Sequence, residues 1–297
     1  MPELPDIVAY QHALTKLLVG QTLDGIRLAS PFVLRTVDPG PRDLYGAKLE
    51  AIERIGKRIV LHFDQERFAV IHLMVSGRFQ WSDAANAKVP GKIGLLAFDF
   101  PRGTLLLTEA STKKRASLHL VLGREALESF RRGGAEPLQV TRDAFREALL
   151  RERHTLKRAL TDPRLFSGIG NAYSDEILHA AKLSPVTRSD RLSESDITNL
   201  YSATQRVLGD WTARLLAETE KGFPKKVTAF RPEMAVHGKY GTPCPACGTK
   251  VQRIVYAENE SNYCPRCQTG GKLLADRSLS RLLKDNWPKT IDELEGR

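Results

Sequence analysis

All four cysteines of the chain fall inside one stretch, CPACGTKVQRIVYAENESNYCPRC, as Cys244, Cys247, Cys264 and Cys267. The spacing C-x2-C-x16-C-x2-C is that of a four-thiolate zinc site, in which each CxxC pair offers two sulfurs from one tight turn. Pro243, Gly248 and Pro265 are turn formers at those places, and the interval between the pairs is long enough for a β-hairpin. Zinc held by four thiolates has no open coordination position, so one structural ion is expected. The module has too few apolar residues to fold alone, so metal binding supplies much of its folding energy. Disulfides are the competing use of paired cysteines and are disfavoured in a reducing cytosol.

Three further stretches carry groups of chemical interest. MPELPDIVAY places Pro2, Glu3, Pro5 and Asp6 ahead of a helical pattern. By themselves they read as a helix start, with proline in the first turn and acids facing the positive end of the helix dipole. FSGIGNAYSDE sets two glycines and Asn171 before a helix, where backbone amides can bind a phosphate; an ordinary interhelical turn has the same composition. LTEASTKKRAS puts Lys113, Lys114 and Arg115 in a row between two strands, as a solvated loop or as a contact to a phosphate backbone.

The charge balance bears on the last two. The 297 residues include 45 Lys and Arg against 35 Asp and Glu, a formal net charge of +10. Such an excess fits a polyanionic partner as well as it fits an ordinary basic surface. Hydrophobic residues make up 41% and no low-complexity block occurs, so a folded globular chain is expected. No apolar run approaches the ~20 residues of a membrane span, and no basic segment followed by an apolar run opens the chain. A cytoplasmic protein without a membrane partner is expected.

Two kinds of element must position these groups. The residues after Pro5 have helical spacing as far as Gly20, through Ile7, Leu14, Leu17 and Leu18. From about residue 22 to 122 the pattern is of short β-rich runs, TLDGIRL, RIVLHF, FAVIHLMV, IGLLAFDF, GTLLLTE and SLHLVL, which predicts a sandwich or barrel. From about 124 to 222 the spacing is helical, in RDAFREALLRE, NAYSDEILHAAKL and SESDITNLYSATQRVLGDWTARLLAE, with Ser193 as a cap for the last. Residues 222–243 lack periodicity and read as a loop. The tail holds one amphipathic stretch, LLADRSLSRLLKD.

PELPD at the start, a β-sandwich, Gly56-Lys57 before a strand, GIGN before a helix and a four-cysteine finger stand here in one order. In that combination the chain, over roughly residues 2 to 268, resembles the formamidopyrimidine-DNA glycosylase and endonuclease VIII family. The resemblance implies an α+β multidomain protein. Residues 1–123 would form a catalytic β-sandwich domain with an N-terminal helix, 124–235 a helix-two-turn-helix DNA-binding domain, 236–270 the zinc-finger hairpin and 271–297 a C-terminal extension.

It also implies a chemistry. Removal of Met1 would leave Pro2 with a secondary amine whose pKa, near ~8, keeps a useful fraction unprotonated at neutral pH. Pro2 would attack C1′ of a deoxyribose, displace a damaged base and form a Schiff base. Glu3 would protonate the ring oxygen. Asp6, where the family usually has Glu, would support the helix. Lys57 would contact the phosphate beside the lesion and assist with protons. Lys157 and Asn171 would grip phosphates around the everted nucleotide. The partner would be damaged DNA, the protein a monomer bound to it in the cytoplasm, and the activity that of a base-excision-repair glycosylase with AP lyase function.

Three departures touch the substrate. The finger position that carries a phosphate-clamping arginine in the family is Asn259, which lacks the charge and the bidentate grip; Lys250 and Arg253 are the nearby cations. In HLMVSGRF, Val75 takes the place of the methionine that fills the gap left by the extruded base. Met74 precedes it and, on a strand, would face the other way into the core. TKKRAS offers Lys114 or Arg115 for the partner base but no aromatic wedge. These changes keep the covalent chemistry and leave open a damaged-DNA or abasic-site binding protein on the same scaffold, or a zinc-ribbon nucleic-acid binder.

Overall fold

Helix α1 (Leu4–Leu18) starts where the prolines and acids predict. Pro5 sits in its first turn, and the Asp6 carboxylate accepts the Glu3 backbone N–H at 3.0 Å, closing the N-terminal cap. Its apolar stripe, Ile7, Tyr10, Leu14 and Leu18, is fully buried against the sheets that follow. The computed structural model describes residues 1–225, 227–256, 259–275 and 288–296, with the side chains of Tyr256 and Asn259 left aside.

Eight antiparallel strands build two four-stranded sheets. They are β1 (Gly25–Leu28), β2 (Leu49–Ile55), β3 (Arg58–Phe63), β4 (Arg67–His72), β5 (Gly77–Ser82), β6 (Gly94–Phe100), β7 (Gly103–Glu109) and β8 (Ser117–Leu122). One sheet has the order β1-β6-β7-β5 and the other β2-β3-β4-β8. Their facing sides share one core with α1, in which Phe98, Leu105 and Leu107 meet Ile59, Leu61, Ile71 and Leu118. The second sheet is also buried behind, where Val60, Phe68, Val70 and Val121 pack with Leu127 of helix α2 (Arg124–Glu128).

Two strands, β2 and β5, lie outside the predicted runs. In LEAIERI the apolar residues recur every third position, a helical interval. The structure resolves this with a bulge between Leu49 and Ala51 and with Ile52 and Ile55 on opposite faces, one in each core cluster. The expected strand FAVIHLMV stops at His72, and Met74–Ser76 form a turn into β5 rather than strand. Gly77 closes it: its N–H donates to the Leu73 carbonyl at 2.9 Å, and a Cβ there would meet that oxygen at 2.2 Å. The alternation argument for Met74 therefore fails. Met74 is half-buried with φ +52°, not a core strand residue.

The helical region contains α3 (Arg142–Leu150), α4 (Leu156–Thr161), α5 (Asn171–Ala180) and α6 (Glu194–Thr219). Ser193 caps α6 as expected: its Oγ accepts the Asp196 N–H at 3.1 Å. The finger contributes β9 (Gln252–Tyr256), β10 (Asn259–Tyr263) and helix α7 (Pro265–Thr269), and the tail ends in α8 (Ile291–Glu295). The amphipathic stretch LLADRSLSRLLKD falls largely outside the described residues; its flanks return to the finger. Leu273 N–H donates to Lys289 O at 2.9 Å, Ile291 N–H to Gly271 O at 2.8 Å, and Ile291 is buried. Arg266 pairs with Asp292 at 3.2 Å.

The chain divides into two units. Met1–Arg132 with Trp211–Thr228 form one, Gly133–Asp210 with Ala229–Arg297 the other, and α6 contributes to both. Among the described residues no helix is long and apolar enough to cross a membrane.

Candidate active site and zinc finger

In the sandwich unit the cap of α1 fixes the amino-terminal residues. Pro2 is buried and Met1 half-buried, while Glu3 and Asp6 keep only 2% and 1% of their surface. Burial lowers the pKa of the terminal amine from 8.0. The carboxylates of Glu3 and Asp6 push it up, and the cations Arg78 and Lys57 push it down. These five groups thus share one electrostatic neighbourhood. The amine is biased toward its neutral, nucleophilic form, with two carboxylates and two cations around it.

Lys57 is brought there by the β2–β3 turn, where Gly56 adopts φ +59°. Arg78 arrives on β5 and is locked by its carbonyl partners: its guanidinium donates to Gly77 O at 2.6 Å, Val75 O at 3.2 Å and Val227 O. His72, beside Lys57 and Arg58, is pushed down to about 4 by burial and then by those cations, so it is neutral at pH 7. Its Nδ1 accepts the Met74 N–H at 3.1 Å and holds the β4–β5 turn. That turn presents Val75 outward at 56% exposure. Arg78 and His72 were not among the expected site residues, although Arg78 follows directly on the VSG stretch that drew attention to Val75.

The basic loop before β8 is organised by a buried acid. The Glu109 carboxylate accepts the backbone N–H of Arg115 at 2.8 Å and of Ala116 at 3.0 Å. Lys114 is half-buried and its ammonium donates to the Glu109 carbonyl, while Lys113 and Arg115 are exposed.

In the helical unit, Lys157 and Asn171 come together. The Lys157 Nζ donates to the Asn171 carbonyl at 2.6 Å and to the Asp175 carboxylate at 2.5 Å. Asp175 is fully buried and also meets His237 at 2.8 Å and the Ser261 hydroxyl at 3.1 Å. Burial pushes its carboxyl up, but Lys157 and then His237 outweigh that and hold it below 3.8. The next residue, Glu176, accepts the backbone N–H groups of Ala235, Val236 and His237 at 2.8–2.9 Å. Adjacent acids on α5 thus fasten the aperiodic loop and the hairpin. The motif GIGNAYSDE contains both, but their partners in the loop and the hairpin lie 59 or more residues downstream, so spacing alone hid them.

The four cysteine Sγ atoms converge within 4.8 Å of one another, with Cys244–Cys267 at 4.0 Å and Cys247–Cys264 at 3.4 Å. A tetrahedron with Zn–S bonds of ~2.3 Å has sulfur–sulfur edges of roughly 3.8 Å, so the set fits one zinc ion. Each CxxC turn is closed by its own backbone: Gly248 N–H donates to Cys244 O at 2.8 Å, Gln268 N–H to Cys264 O at 3.0 Å. Of the nearby cations, Arg253 stacks over Tyr240 at 4.4 Å and pairs with Glu260 at 2.9 Å, whereas Lys250 is exposed. Asn259 opens β10 opposite Tyr256, and its side chain lies outside the described residues.

A β-sandwich that buries its own amino terminus among acids and cations, joined to a helical unit with a four-thiolate finger, is a specific combination. Three family models match in the same order: the formamidopyrimidine-DNA glycosylase N-terminal domain over residues 1–122, its H2TH domain over 134–213, and the zinc finger found in FPG and IleRS over 241–270. The chain is 34% identical over 293 residues to the formamidopyrimidine-DNA glycosylase of Thermomicrobium roseum, covering 90% of this chain and 99% of that one. It is 42% identical over 151 residues to an uncharacterized formamidopyrimidine-DNA glycosylase-like protein of Mycobacterium tuberculosis, covering 51% of this chain and 94% of that one. Among solved structures, the Lactococcus lactis enzyme non-covalently bound to DNA containing an AP site superposes with a TM-score of 0.78 at 26% identity, covering 90% and 99% of the two chains. The chain belongs to the formamidopyrimidine-DNA glycosylase family.

Proposed function

We propose that the protein excises damaged bases from DNA and nicks the strand, acting as a monomeric glycosylase and AP lyase through the amine of Pro2. The observation that carries this is the neighbourhood of the amino terminus, where burial and two cations favour a neutral amine beside the Glu3 carboxyl. Removal of Met1 places the amine on Pro2, one residue deeper.

In the proposed reaction the Pro2 nitrogen forms a bond to C1′. The C1′–base bond breaks with its electron pair going to the base, which takes up a proton. Glu3 protonates O4′ as the C1′–O4′ bond opens, leaving an iminium between Pro2 and C1′. Loss of a C2′ proton then forms the C2′–C3′ double bond and expels the 3′ phosphate. Water hydrolyses the iminium and regenerates the amine. Lys57 and Arg78 supply the positive field for the phosphates beside the lesion. Val75, at the tip of the β4–β5 turn, fills the gap left by the extruded base, and Met74 sets that turn from behind. Arg115 reaches the partner strand, while Lys114 shapes its loop. Asn171 takes a phosphate at the start of α5, and Lys157 acts through Asn171, whose carbonyl it holds.

Incubation with an abasic oligonucleotide and borohydride tests this. A covalent adduct mapping to the N-terminal peptide is expected, and Pro2→Gly should greatly reduce it. The amine must be neutral to attack, so trapping should rise with pH as the Pro2 amine loses its proton and level off above that. A second reading, a damaged-DNA binding protein, is favoured by Asn259 in the finger and by the engagement of Lys157 within the fold. That protein would bind DNA with a strong salt dependence and leave no adduct.

A further inference from the structure

The His179 ring stands next to the zinc site. It lies near the C-terminal end of α5, half-buried, with Nε2 at 3.2 Å from the Cys244 Sγ. Cys244 is buried. With zinc bound, Cys244 is a thiolate and can only accept, so the proton of this contact belongs to the histidine. We propose that His179 is a positioning residue for the metal: its Nε2–H donates to the Cys244 thiolate, withdraws charge from a site that four thiolates would otherwise leave at −2, and ties zinc to α5.

Two features of the surroundings support this. Glu176, one turn earlier, is taken up by the amides of residues 235–237, while Nε2 of the ring meets the Cys244 sulfur. Gln268 crosses on the other side, with its Oε1 accepting the Cys264 N–H at 2.8 Å and its Nε2 donating to Leu183 O at 2.9 Å. Both halves of the thiolate set are therefore tied to α5 or to the turn that follows it. Partners of this kind typically hold metal affinity 10- to 100-fold higher than the ligands alone.

The inference does not depend on the proposed catalytic reading, and its test needs no DNA. His179→Phe keeps a ring of similar size and removes the donor; His179→Gln keeps an N–H. Zinc transfer from the full-length protein to a chromogenic chelator should be about 10- to 100-fold faster for His179→Phe and within about threefold of native for His179→Gln. In the cobalt-substituted proteins the thiolate-to-metal charge-transfer band of the Phe variant should move to lower energy. Native-like release from His179→Phe overturns the proposal because the donor would then be dispensable, and equal acceleration in both variants overturns it because the ring's shape would then matter and not its proton. Should the Phe variant take up no metal, the nitrogen-15 shifts of His179 in the native zinc protein decide: a protonated Nε2 supports the assignment and a bare Nε2 refutes it.

Discussion

Asp175→Ala is expected to lower the unfolding free energy by about 3–5 kcal/mol, the usual loss when one partner of a buried ion pair is removed. The carboxylate is fully buried and receives Lys157 from α4, His237 from the loop and Ser261 from β10. Without it the Lys157 ammonium keeps the Asn171 carbonyl as its protein acceptor among the contacts described, and the buried side of the joint loses its charge partner. The pH dependence has a definite sign. The folded carboxyl lies below 3.8, so its contribution is complete above the unfolded value and fades as pH falls through the folded one. Urea denaturation of native protein and variant should show a gap at pH 7 that closes as pH falls below about 4. A gap under about 1 kcal/mol at pH 7 would mean that the joint is replaceable.

Glu3→Gln is expected to slow release of a damaged base by about 10²–10⁴-fold, the range for losing a positioned proton donor. The same variant should still be trapped by borohydride on an abasic site, because the abasic sugar opens to its aldehyde in water without help. Stability should change little, since Gln keeps a side-chain oxygen for the Asp6 backbone N–H in the capping box, and the bond from the Glu3 N–H to the Asp6 carboxylate remains. The measurement is base release scored separately from adduct formation on matched oligonucleotides. Unaltered base release would remove Glu3 from the reaction; loss of both activities would instead place Glu3 at the attack of the amine itself.

What could be read from the sequence followed burial. RIVLHF, GTLLLTE and SLHLVL match their strands residue for residue, because the sheets they join are covered on both faces or lie in the core. The four thiolates were legible because zinc sets their spacing locally. LEAIERI was not, since a bulge shifts its period, and GRFQWS was hidden behind a turn that depends on Gly77. Asp175 and Glu176 were quoted within a recognised motif, yet their roles depend on partners 59 to 86 residues away that no periodicity announces. Lys157 shows the converse: motif position suggested a phosphate ligand, and tertiary packing gives its ammonium to a carboxylate and a carbonyl first.

The return of the tail to the finger has an evolutionary corollary. Since Leu273 pairs with Lys289 and Gly271 with Ile291, the stretch between Ala275 and Pro288 begins and ends at neighbouring points. Kindred sequences that carry the tail should therefore keep this joint, and Ile291, buried at the seam, tolerates no charged replacement.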